Sequence, residues 1–270
     1  MAGDILSFIE EYVVEPFKYA TSDWLKILIG VSLLFLYYAI SLIVYGILSL
    51  FFGPFSLVFI LLLKIIFTIP LAGYYIEVIR NTLKGLDTLP SWFNIVRILI
   101  DGLLYKIAYS IALFLYTLIF VLPVILIGFI LLTIFRDLSS YIPWIVLLSL
   151  FILGGLVIYM VVILIVFWIC VPLATVNFAK KGFFGFFNIW GILKKFSFEY
   201  LAIWVLYKIV PVIILLPIGI CLDIFMLIPF VNILVLLLVI LLVVIIGPVL
   251  GFILEVMFHR AVAKYYRERE

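Results

Sequence analysis

The residues of this chain able to do chemistry are few, and most are lysines and glutamates inside apolar runs or at their ends. Lys64 interrupts Leu61-Leu62-Leu63-Lys64-Ile65-Ile66-Phe67, about 15 Å from either end of its run by helical rise. Lys208 lies one turn before Pro211 in a second run, where the proline frees a backbone carbonyl. An ionised lysine at bilayer depth costs about 2.5–3.5 kcal/mol on an insertion scale. Such a lysine either faces a polar cavity, where it can meet an anion or a proton, or it snorkels or simply pairs for packing. Lys106, one turn inside a third run, is within easy snorkelling reach. Glu77 and Glu255 mark the exits of two runs, and each has a cation within one turn, Arg80 and His259 respectively. Local pairing at the interface is one reading of them; the other is a pair of carboxylates at the mouth of a central cavity. Lys64 and Lys208 are therefore the candidate intramembrane polar site, and Glu77, Glu255 and Arg80 the candidate cytoplasmic mouth.

Enzymatic constellations do not assemble around these residues. The single histidine, His259, belongs to a basic tail, and Cys170 and Cys221 sit in apolar runs without a CxxC spacing. That spacing excludes a recognisable zinc or redox motif. HExxH, GxSxG, P-loop and dinucleotide fingerprints are missing from the sequence. The expectation is a protein that is not an enzyme, with no cofactor and no metal.

The elements that must position these residues are membrane spans. Of 270 residues, 69% are hydrophobic and only 11% charged, against roughly 45–50% and about 25% in a soluble domain. A net charge of +3, divided among span ends, does not point to nucleic acid; a modest polybasic patch for anionic lipid is the most it supports. Membrane lipids are the expected partners, with a small solute or lipid as ligand. The first residues are acidic and lack a basic n-region, so no secretory signal peptide is read there.

In chain order, Ile5, Leu6, Ile9, Tyr12 and Val13 share one face of an amphipathic surface helix over 4–15, which Pro16 should end. Ser22-Asp23-Trp24 then offers a helix cap and an interfacial aromatic. Trp24–Phe52 and Phe55–Ile76 each exceed the roughly 20 residues that a hydrocarbon core requires. A second surface helix is predicted over 86–100, with Asp101-Gly102 ending it, before a span to Phe135 that contains Pro123. The fourth span is Pro143–Pro172. A third surface segment, Phe183–Phe198, precedes spans from Glu199 to about Leu222 and from Pro229 to about Phe258.

Two motifs recur across these boundaries. Pro70-x-x-Gly73-Tyr74-x-x-Glu77-Val78 returns as Pro248-x-x-Gly251-Phe252-x-x-Glu255-Val256, and Phe93-Asn94-Ile95-x-x-Ile98-Leu99 as Phe187-Asn188-Ile189-x-x-Ile192-Leu193. They divide the chain into three degenerate units, 1–84, 85–181 and 182–270. Lys and Arg gather at the ends of spans two, four and six and in the surface segments, with Arg136 alone on the other side. Both termini are therefore expected in the cytoplasm.

Gly73-Tyr74 with Arg80, the Lys84-Gly85 turn, Leu89-Pro90-x-Trp92 and Asp101-Gly102, together with Asp23-Trp24, Lys26 and Gly30, resemble the archaeal membrane family known as domain of unknown function 4013. The resemblance is carried by residues in 23–30 and 73–102, the second half matching by pattern. It implies a multi-span archaeal membrane protein and assigns no activity or functional residue.

The predicted fold is an all-α integral membrane protein of six transmembrane helices. These form three degenerate hairpin repeats, each preceded by a cytoplasmic-side amphipathic helix, within one polytopic domain spanning 1–270 of the cell membrane. The leading expectation is a small permease or a lipid- or solute-handling protein with an inter-repeat cavity. Its rival is a non-transporting scaffold that docks a partner on its cytoplasmic amphipathic face.

Overall fold

The computed structural model describes residues 2–135, 142–213 and 241–269, with 216, 220, 237 and 238. Ala2–Ile9 (α1), a π-helical turn at Glu10–Val14 and Glu15–Ala20 (α2) follow one another without a break. Pro16 does not end this rod. It falls in the first turn of α2, where a missing N–H is tolerated, and the π turn ahead of it closes with the Glu15 N–H bonded to the Glu10 carbonyl.

Trp24–Phe52 (α3) begins as the sequence predicts: the Asp23 carboxylate accepts the N–H groups of Leu25 and Lys26 at 3.2 and 3.3 Å. A 3₁₀ turn at Gly53–Phe55 leads into Ser56–Leu83 (α4). This helix stops in a Schellman motif. Gly85 takes φ 75°, its N–H bonds the Thr82 carbonyl, and the Leu86 N–H bonds that of Asn81, both at 2.9 Å.

The second surface helix, expected over 86–100, does not form as a unit. Residues 84–94 run as turns and loop, and Ile95–Phe135 (α5) takes 95–100 into one helix of 41 residues. Pro90 explains the first part, because it withholds an N–H and drives Leu89 out of the helical region. Asp101-Gly102, expected as a stop, lies inside α5, and both residues are consumed by packing. Arg80 holds the Asp101 carboxylate. A Cβ on Gly102 would overlap the Ile69 carbonyl of α4, and one on Gly73 would overlap the Ile98 carbonyl of α5. The two glycines thus let these backbones cross in contact, as small residues do between membrane helices.

Ile142–Lys181 (α6) ends at Gly182, also at φ 75°. The third surface segment is a 3₁₀ turn at Phe183–Phe187 and a six-residue helix, Ile189–Lys194 (α7), capped by Asn188. Phe198–Trp204 (α8), capped by Ser197, passes into a π turn at Val205–Ile209. After a second π turn at Leu241–Ile246 comes Gly247–Glu268 (α9).

All the described elements are helical. Four stretches are long and apolar enough to cross a membrane: Trp24–Phe52, Ser56–Leu83, Ile95–Ile127 and Gly154–Lys181. Much of the expected fifth and sixth spans, with Cys221, Asp223 and Pro229, lies outside the described residues, as does the loop at Arg136. The most apolar windows of the four stretches bury only 6–22% of their residues. Side chains left outward there fit a hydrocarbon solvent, where burial against protein gains nothing hydrophobic. The packed core lies instead at the end where α2, the α4 and α6 exits and α9 meet. Its largest fully buried side chains include Tyr12, Tyr74, Phe178, Tyr200, Phe252 and Tyr265.

Candidate functional site

A cavity of about 490 Å³ opens between α3, α4, α5, α6, the 205–211 segment and α9. Each element contributes a consistent face. Thr68, Leu71, Ala72 and Tyr75 of α4 recur at helical spacing, as do Gly247, Gly251, Leu254, Glu255 and His259 on and just beyond the start of α9. Lys106 and Tyr105 come from α5, Thr175 from α6, and Tyr207, Lys208 and Pro211 from the fifth apolar run. A side chamber of about 210 Å³, walled by Trp168, Val171, Pro172 and Trp204, shares Tyr105, Thr175, Lys208, Glu255 and His259 with it.

An ion pair forms the polar floor. The Lys208 ammonium donates to Glu255 Oε1 at 2.6 Å and lies 4.3 Å from the centroid of the Phe258 ring. His259 donates from Nδ1 to the Glu255 carbonyl at 2.7 Å, which fixes the tautomer of the neutral ring and leaves Nε2 as the acceptor. The same Nδ1 is 3.7 Å from Glu255 Oε2. Tyr75 stacks on the imidazole, 4.8 Å between centroids and 11° between planes. The π turn that carries Lys208 contains one extra residue per turn, which re-aims side chains locally and is frequent at functional sites.

Two of the candidates, Lys208 and Glu255, therefore meet across 47 positions of sequence. Lys106, read from sequence as a snorkelling residue, faces the same cavity. Lys64 is exposed and stands one helical turn beyond Thr68, on the cavity-lining face of α4. It is close enough to Lys106 for the two charges to interact. Among the described residues Lys64 makes no hydrogen bond to Tyr37, Tyr38 or Tyr109.

Glu77 and Arg80 do not line the cavity; they belong to a second cluster. Arg80 donates to Glu77 Oε1 at 2.7 Å, to both oxygens of Asp101 (3.1 Å to Oδ1), and through Nε to the Ala179 carbonyl at 3.2 Å. Arg97 Nε adds a 3.0 Å contact to Glu77. Two cations and two carboxylates cancel here and clip α4, α5 and α6 together. The recurring glycines also differ in use: Gly73 is packed against α5, while a Cβ on Gly251 would meet nothing within 4 Å.

A third cluster joins the surface elements to α9. Arg260 is 3% exposed and donates to Glu15 Oε1 from two nitrogens, at 2.6 and 3.1 Å. It also reaches Asp87 at 2.5 Å, the Leu86 carbonyl at 2.9 Å and Thr82 Oγ1 at 3.3 Å, and it stacks on Tyr19. Tyr12 donates to Glu199 and Glu268, and Tyr207 to the Tyr12 carbonyl. Burial, then the hydrogen bond with Glu199, pushes the Tyr12 phenol far above its ordinary range. Arg260 is not among the residues that the sequence singles out. Its signal was its phase: Phe252, Val256, Arg260 and Ala263 fall on one helix face, and all are buried.

The chain is 28% identical over 283 residues to the uncharacterized protein MJ0233 of Methanocaldococcus jannaschii, an overlap of 97% of this chain and 98% of that protein. It is 28% identical over 153 residues to the uncharacterized protein MJ1189 of the same organism, covering 57% of this chain and 50% of that one. No solved structure matches. Residues 55–223, more than half of the chain and including Lys64, Glu77, Arg80 and Lys208, match the family described as a protein of unknown function (DUF4013), and the chain belongs to that family.

Proposed function

We propose that this protein is a six-span membrane protein of three hairpin units, both termini in the cytoplasm, whose central cavity binds a small polar solute and passes it across the bilayer. The observation that carries the reading is the Lys208–Glu255 pair with Lys106, three ionisable groups lining one cavity among helices that are otherwise apolar. Charges at such depth are costly and, where they occur, face a polar interior or a pathway. A volume of about 490 Å³ lies within the roughly 300–1,000 Å³ usual for small-molecule sites. Exposed aromatics at the polar end, Phe93, Phe184, Trp190 and Phe198, fit the belt that membrane proteins place at the lipid–water boundary. Lysine and arginine at that same end support the cytoplasmic assignment.

The second reading is a scaffold. It draws on the three-way joint around Arg260, which fixes the surface layer as a rigid platform. Osmotic swelling of proteoliposomes separates the two readings, with potassium benzoate, lactate and chloride in the presence of valinomycin, which lets the cation follow, and glycerol as the challenging solutes. Transport predicts swelling above protein-free vesicles for at least one solute, abolished by Lys208→Met. Swelling equal to that of empty vesicles for all four would favour the scaffold.

A further inference from the structure

We infer that the cavity is selective for an anion, specifically a small organic acid with an apolar body; the inference rests on the solute-binding reading of that cavity. Among the described residues, the lining supplies two ammonium groups, Lys106 and Lys208, against a single carboxylate, Glu255. Lys208 is matched by Glu255 at 2.6 Å. Lys106 has no ion pair and no hydrogen bond among the described residues, so one positive charge in the lining is uncompensated. Lys64, one turn further along the same face of α4 and within reach of the Lys106 charge, adds a second positive charge at the edge. Among the described residues, no carboxylate other than Glu255 lines the cavity or its side chamber.

An uncompensated ammonium among apolar helices needs a counter-ion or must lose its proton. A bound anion supplies the counter-ion at Lys106. Lys208 has two further N–H directions beyond its bond to Glu255, since an ammonium carries three donors. A carboxylate in the cavity that both lysines line can therefore accept from Lys208 without breaking the Lys208–Glu255 pair. Glu255 then has two roles: it orients the Lys208 head and repels a second anion. Leu34, Leu71, Ala72, Leu254 and the Tyr75 ring supply apolar wall for a hydrocarbon or aromatic body, beside the hydroxyls of Tyr38, Thr68, Tyr105, Thr175 and Tyr207.

The test uses three probes of one shape and different charge, namely benzoate, benzamide and benzylamine, titrated calorimetrically into the purified full-length protein in nanodiscs. Benzoate should bind, with affinity lowered about tenfold or more by Lys106→Met, the size of losing one charge-assisted contact. Lys106→Arg should keep the charge and hold binding within about threefold, which separates lost charge from lost folding. Benzamide and benzylamine should bind at least about tenfold more weakly than benzoate. Benzylamine binding as tightly as benzoate, or Lys106→Met leaving benzoate unchanged, overturns the inference. Benzoate binding with no vesicle swelling would leave this inference standing and remove the transport reading instead.

Discussion

Arg260→Met tests the joint that ties the surface elements to α9. The guanidinium is 3% exposed and is shared between Glu15, Asp87, Thr82 and the Leu86 carbonyl. Asp87 is 82% exposed, so its share is that of a surface pair, at most about 1 kcal/mol. Glu15 is different. Both strong bonds end on its Oε1, and its Oε2 is buried without a hydrogen-bond partner. Removing Arg260 therefore leaves a carboxylate with no partner on either oxygen, and breaking a buried pair in this way costs roughly 3–5 kcal/mol. Partial exposure of Glu15 places the expected loss near the lower figure, about 3 kcal/mol, or a factor of about 150 in the docking equilibrium. Hydrogen exchange in nanodiscs reads this directly. Amides of α2 should lose about a hundredfold in protection, while those in the middle of α4 should not change. Pairing the variant with Glu15→Gln should give a coupling near 2 kcal/mol. Protection of α2 within twofold of the wild type, or a cycle additive to within 0.5 kcal/mol, would refute the assignment of Arg260 as the joint.

Gly102→Ala should lower the midpoint of thermal unfolding in detergent, because the new Cβ would overlap the Ile69 carbonyl and overpacking costs about 1–3 kcal/mol. Gly46→Ala, whose Cβ would meet nothing within 4 Å, serves as its control and should be neutral or slightly stabilising. Burial, and then the hydrogen bond and charge of Glu11, hold the Glu268 carboxyl above its ordinary range. A raised acid contributes its stability below the unfolded carboxylate value of about 4.3 and loses it as pH rises through the folded value. Glu268→Gln should therefore melt higher than wild type at neutral pH, with the gap closing towards about pH 4. A constant gap across that range would contradict the sign.

What was legible in the sequence was local. The Asp23 cap, the Glu77–Arg80 pair at i, i+3 and the closeness of Glu255 to His259 at i, i+4 all follow from helical geometry alone. The four apolar stretches follow from run length. The Lys208–Glu255 contact was not legible, because a helix periodicity orders residues along one rod and says nothing about which rods touch. Pro16 was misjudged since a proline stops a regular helix, yet a π turn ahead of it moves it into a first turn. The 86–100 segment has genuine amphipathic spacing, but Pro90 removes its first half and nothing breaks its second half away from α5. Asp101-Gly102 has the composition of a stop signal; only the approach of α4 explains why both residues sit inside a helix.

The central claim, a membrane-embedded cavity that is wet and positively charged, is tested most directly by a single cysteine at Thr68. In protein lacking Cys170 and Cys221, Thr68→Cys should react with a membrane-impermeant sulfonate thiol reagent, and about tenfold faster than with the corresponding ammonium reagent, since charged clefts raise counter-ion concentration on this scale. Ile66→Cys, an exposed position on the opposite face of the same helix, should react with neither. Thr68→Cys as inert as Ile66→Cys, or faster with the ammonium reagent, would contradict the account.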